Sequence, residues 1–201
     1  MRVKAQGLLN AVKWIEAEYG RKALDQVLAG CSPPVRERCA TAIAINWHPM
    51  QELVELLQSA EHVLGTGNGR VAERIGEAGA RANLKGVLIR MAFWVANPEF
   101  LMRRVAGLWR RFNDEGEMIM LHVAEDVRRF EVTGVSTPNW LFCCTITGWG
   151  TVTTEAAGVV DPIARHVECR ARGASRCLWQ VTTPAGLNPS SRPPRTSERP
   201  P

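Results

Sequence analysis

Apolar residues recur at helical spacing through the first half of the chain and with a period of two near its end. Leu8, Leu9, Val12 and Ile15 fall on one stripe, which predicts an amphipathic helix over 5–18 that stops at Gly20. Further helices are predicted over 21–29, closed by Gly30, from Pro33 to about Ile43, and over 50–64, where Pro49 suits a first turn. Residues 65–69 form a glycine loop without a preceding strand or a Gly-Lys-Ser/Thr ending, so the pattern does not mark a nucleotide site. The next helix, 70–82, carries Ala72, Gly76, Ala78, Gly79 and Ala80, small residues that permit close helix contact. Two more helices, 84–94 and 98–112, are split by Asn97-Pro98.

After a turn at 113–116 the period changes. Segments 117–123 and 128–135 alternate as an antiparallel strand pair. A helix over 140–157 follows, capped by Asn139 or Thr137, and segments 164–171 and 176–182 read as a final hairpin. Helices followed by β-β-α-β-β define an α+β fold, an antiparallel sheet backed by helices. Residues 1–182 read as a single domain with a helical N-terminal part (1–65), and 183–201, built of Pro, Ser, Thr and Arg, as a disordered tail.

The formal net charge is +5, of which the tail supplies +2, so the remaining +3 or so is ordinary and speaks for no nucleic-acid partner. Arg103, Arg104, Arg110 and Arg111 share a helical face, either solvated or an anionic contact surface. No charged residue lies between Glu131 and Glu155, but Pro138, Asn139, three glycines and many threonines make that stretch a buried helix rather than a membrane span. No secretory signal is visible, so the expected location is cytoplasmic, where thiols stay reduced.

That last point bears on six cysteines. Cys169 and Cys177 flank Gly173 at its midpoint, so a hairpin there sets the two thiols side by side. Cys143 and Cys144 open the uncharged helix, and only one of them can face the hairpin. His166 or Glu168 is the candidate fourth ligand. Strict alternation places both opposite Cys169, so a β-bulge is required to bring either in. The group reads as a tetrahedral metal site, a reduced thiol cluster in the core, or a redox pair. Cys31 and Cys39 read as small buried hydrophobes.

Cys169-x3-Gly173-x3-Cys177-x-Trp179-x-Val181 resembles the C-terminal hairpin of the four-vinyl reductase superfamily, which includes aromatic-responsive sensory domains and Bet3-type tethering subunits of the TRAPP complex. The resemblance covers about residues 70–182. It implies the fold of that superfamily and a structural zinc held by Cys143, Cys169, Cys177 and His166, the last standing where the family has an acidic ligand. Ala174 departs from the family's acidic residue after the turn glycine. The N-terminal part, from Gly7-Leu-Leu-Asn to Asn46-Trp-His-Pro49, and Leu108–Arg111 are similar to a family of myxobacterial proteins, a likeness that indicates kinship and no chemistry.

With the resemblance goes a small pocket between helices and sheet, for which Phe93, Trp94, Trp109, Met120, His122 and Trp149 are the candidate lining. The function implied is a homodimeric regulatory or sensory domain that binds a small apolar or aromatic ligand and signals through a protein partner. An interaction scaffold without ligand is the second reading. A reductase-like enzyme on a tetrapyrrole or aromatic substrate is the third, although no catalytic triad, dinucleotide fingerprint or paired carboxylate is present. No haem and no nucleotide are expected.

Overall fold

The first helix, α1 (Gln6–Ala29), breaks at Gly20, whose φ of 82° suits glycine alone. The two helices read on either side of Gly20 are the arms of this break. The structure, a computed structural model, describes residues 1–84, 107–124, 127–156 and 159–183, with the side chains of 122–124 excepted. The expected helix over 84–94, Arg103, Arg104 and the expected tail beyond Thr183 therefore lie outside the described residues. Of the helix expected over 98–112, residues 107–112 are described and helical.

Helices α2 (Pro33–Thr41), α3 (Met50–Leu64) and α4 (Arg70–Asn83) follow α1. Two strands precede and interrupt them, β1 (Arg2–Lys4) and β2 (Trp47–Pro49), paired antiparallel with Val3 opposite His48. Three residues are too few to display a period, which is why the sequence pattern does not reveal them.

The main sheet holds β3 (Glu117–Ala124), β4 (Val127–Thr133), β5 (Ile163–Glu168) and β6 (Cys177–Thr182) in the order β3-β4-β6-β5, antiparallel throughout. The fold is α+β, as the pattern implies. Cys177, Trp179 and Val181 face the helical layer and are buried, as alternation requires. Leu178 is buried as well, on the opposite face. It stands in register between Glu131 and Glu168, and Arg176 closes over it by pairing with both, at 3.8 and 2.9 Å.

The helix α5 (Trp140–Ala156), uncharged up to Glu155 near its end, packs between the sheet and α4. Asn139 is its cap, accepting the Phe142 N–H through Oδ1 at 3.2 Å. Its buried threonines satisfy themselves within the helix: Thr147, Thr151 and Thr154 donate to the carbonyls four residues back, at 3.2, 3.3 and 2.7 Å. Threonine-rich sequence can thus run as a buried helix with each of these hydroxyl protons donated inside it. No described helix is long and apolar enough to cross a membrane.

Helices α4 and α5 approach at glycine. A Cβ built on Gly76 would fall within 3.0 Å of the Thr145 carbonyl, and one on Gly148 within 3.0 Å of the Glu73 carbonyl. The small residues read in 70–82 serve this contact, and it leaves a hollow toward α1 and the sheet.

Candidate functional site

Two features stand out, an apolar cavity and a cluster of thiols. The cavity lies between α1, α4, α5, residues 107–112 and strands β3 and β4, measures about 140 Å³ and is partly open among the described residues. Ile75, Trp109, Met118, Met120, Ile146 and Trp149 supply most of its apolar wall. Of the expected pocket residues, Trp109, Met120 and Trp149 line it. Phe93, Trp94 and the side chain of His122 lie outside the described residues.

Sequence reasoning missed Asn10, Gly76, Gly79 and Thr145, which also line the cavity. Asn10 lies about 200° around the helix from Leu8 at 100° per residue, on the side that the apolar stripe marks as solvent. Yet α1 is buried on both sides, against α3 through Leu8 and Ala11 and against the cavity through Asn10. A periodicity that scores one buried face has no signal for the second.

The thiol cluster forms where the last hairpin meets the start of α5. The register slips between His166 and Glu168, which is the bulge that a ligating residue on this strand requires. It turns Glu168 outward to Arg176 at 2.9 Å and leaves Cys169 to enter a 3-10 turn, Arg170–Arg172, ending at Gly173 with φ 92°. The result brings Cys143, His166, Cys169 and Cys177 together, with one ligand atom from each and all within 4.8 Å of one another. The thiol of Cys143 donates to Cys177 Sγ at 4.0 Å, and the Arg170 N–H reaches the same sulfur at 3.4 Å. With the His166 imidazole nearby, these contacts hold Cys177 well below the usual thiol range. Cys143, donor to that sulfur and buried, is pushed up. Cys144 points away toward Gly69 and stays out of the cluster, its thiol pushed up to about 12 by burial and by Glu73. Burial likewise raises Cys39 to about 12.

His166 owes its position to a ladder of rings. Its imidazole stacks on Trp179, centroids 4.3 Å apart at 9°, and Trp179 stacks on Phe130 at 5.2 Å and 3°. The three residues are cross-strand neighbours on β5, β6 and β4.

This arrangement of helices, antiparallel sheet and internal cavity has the fold of the haem nitric-oxide/oxygen-binding (H-NOX) domains. Similar solved structures include an H-NOX protein from S. oneidensis in the Fe(II)NO ligation state, with a TM-score of 0.64, 13% identity, and coverage of 89% of this chain and 97% of that one. The Fe(II) unliganded H-NOX protein from K. algicida gives a TM-score of 0.62 at 10% identity over 89% and 95% of the two chains. An IWP-051-bound H-NOX from Shewanella woodyi in the Fe(II)CO state gives 0.61 at 13% over 96% and 98%. No protein-family model matches the chain, and no curated protein matches it in sequence.

These likenesses overturn the four-vinyl reductase and Bet3-type resemblance. The cysteine–glycine–cysteine hairpin is a short local motif, and it carries no information on how the helices are arranged around the sheet. The readings that rested on that resemblance, a four-vinyl reductase type of sensory domain built on structural zinc and a fold without haem, are corrected with it, since the neighbours are haem proteins.

Haem iron is held in proteins by histidine, cysteine thiolate, methionine or tyrosine. Here His48 is sealed against Glu52 at 3.1 Å, His62 is exposed, His166 belongs to the thiol cluster, and the side chain of the fourth histidine, His122 on β3, lies outside the described residues. Tyr19, the single tyrosine, is exposed, and residues 85–106 contain no histidine, cysteine or tyrosine. Among the described residues the iron donors facing the cavity are the thioethers of Met118 and Met120. The described lining, around about 140 Å³, thus offers an iron only thioethers, while His122, Met91 and Met102 lie outside the described side chains.

Proposed function

We propose that the chain is a small-molecule sensory domain whose cavity takes a small apolar ligand directly. The observation that carries this is the match of volume and lining. The cavity measures about 140 Å³ behind an apolar wall, and a cavity of roughly 150 Å³ with such walls takes benzene or xenon. Self-association and a protein partner that reads the ligand state belong to the same proposal.

Titrating the full chain with toluene, with methionine methyl groups followed by NMR, tests it. Saturable shifts at Met118 and Met120, and little change at the other four methionines, are expected. No saturable response, or a stoichiometric haemin complex that excludes toluene, would contradict the reading.

A second reading concerns the thiols. Three sulfurs and an imidazole nitrogen within 4.8 Å supply the number and kind of donors that a thiophilic cation takes in tetrahedral geometry. We propose that Cys143, His166, Cys169 and Cys177 ligate one such cation. Cadmium added to metal-stripped protein should give one equivalent of sulfur-to-metal absorption, lost in Cys177→Ser. Absorption that persists in Cys177→Ser, or none in the parent, would refute the assignment.

A further inference from the structure

The cavity's polar atoms are mostly committed to the chain itself. Thr145 donates to the Phe142 carbonyl at 2.7 Å, Thr154 to that of Gly150 at 2.7 Å, and Asn113 Nδ2 to that of Trp109 at 3.0 Å. Asn10 differs. Its side chain is 7% exposed and lines the cavity, and its Oδ1 accepts from Gln6 Nε2 at 2.8 Å. That bond fixes the amide and leaves Nδ2 buried without a partner. Native proteins satisfy the great majority of buried donors, so an open donor in a cavity wall marks where a ligand atom belongs.

The neighbouring geometry shows the place. A Cβ built on Gly79 would stand 3.6 Å from Asn10 Nδ2 and 3.5 Å from Trp149 Nε1. Two ring or amide N–H groups therefore border a notch that exists because residue 79 has no side chain. Asn83, one turn beyond Gly79, and Thr153, whose hydroxyl donates to the Trp149 carbonyl at 2.7 Å, are the polar side chains nearest to it in sequence among the lining residues. The charged side chain that lines the cavity, Lys4, has its ammonium on the Ile45 carbonyl at 2.6 Å and over the Trp47 ring. Among the described residues the notch thus offers an anion no counter-charge and suits a neutral acceptor.

We propose that the ligand is a small, neutral, apolar molecule bearing a carbonyl oxygen, which sits in the notch over Gly79 and accepts the Asn10 Nδ2–H, with the Trp149 indole N–H beside it. This rests on the cavity reading and narrows it to a chemical class. The ring or alkyl body of the ligand fills the space between Ile75, Met120 and Ile146, and the oxygen gives it one orientation.

The test uses two probes of the same shape, cyclohexanone and methylenecyclohexane, titrated into the full chain by calorimetry. The parent protein should bind the ketone about tenfold more tightly, the difference one well-made hydrogen bond provides. Asn10→Leu removes the donor, and the preference should fall to about onefold. Gly79→Ala should do the same by filling the notch, and because its new Cβ meets nothing closer than 3.5 Å it keeps the test valid if Asn10→Leu does not fold. Equal affinity for both probes in the parent, or a ketone preference that survives Gly79→Ala, would overturn the carbonyl assignment and leave the cavity reading standing. Failure of both probes to bind would overturn the two together.

Discussion

Trp179→Ala is expected to cost about 4 kcal/mol of folding free energy, the range for deleting a large ring from a tightly packed core. Trp179 is fully buried on a central strand of the sheet, between Phe130 and His166. Its indole N–H donates to Thr147 Oγ1 at 3.0 Å, which ties the sheet to α5. Alanine removes two stacking contacts and the hydrogen bond to Thr147, whose hydroxyl keeps its bond to the Cys143 carbonyl, and leaves a void between rigid elements. Trp179→Phe keeps a ring and loses the hydrogen bond, so about 2 kcal/mol is expected. Urea unfolding of the three proteins measures both. A loss under about 1 kcal/mol for alanine, well below the range for such a deletion, would mean that the ring ladder does not hold sheet and helix together. Because His166 takes its place in the thiol cluster from that stack, Trp179→Ala should also weaken cadmium binding.

Gly148→Ala should destabilise by about 3 kcal/mol despite alanine's better helix propensity. Its Cβ would meet the Glu73 carbonyl and the Glu77 N–H, which are backbone atoms and cannot swing aside. The helices α4 and α5 must then separate, as they must for Gly76→Ala, whose Cβ meets the Thr145 backbone. Gly79→Ala is the internal control, since it lies one turn along the same helix face as Gly76 with room for a methyl group. It should be neutral or stabilise by up to about 1 kcal/mol. Chemical denaturation of the three variants decides the matter. If Gly148→Ala and Gly79→Ala behave alike, close helix contact does not shape the cavity.

The pattern of the chain carried the elements further than their identity. The kink at Gly20, the cap at Asn139, the buried threonine-rich helix and the buried face of β6 are legible because each follows from local chemistry. So is the need for a bulge near His166, since alternation alone would turn it away from Cys169. The three-residue strands β1 and β2 were invisible for lack of length. The burial of Leu178 depends on Arg176 folding back across two carboxylates, which no period encodes. Asn10 was missed because α1 is buried on two sides. The resemblance misled because it rested on a short cysteine hairpin, whereas the H-NOX likeness resides in the three-dimensional arrangement, at 10–14% identity. Trp109, Met120 and Trp149, which border the cavity, were candidates for a pocket that the overturned resemblance implied, so their place there owes nothing to that resemblance.

The most direct test of the account is a crystal of the full chain pressurised with xenon and measured for anomalous scattering. An ordered xenon peak bounded by Ile75, Met120, Ile146 and Trp149 is the expected result. A cavity occupied by the protein's own side chains, with no xenon in it, would contradict the claim that this hollow is a ligand site.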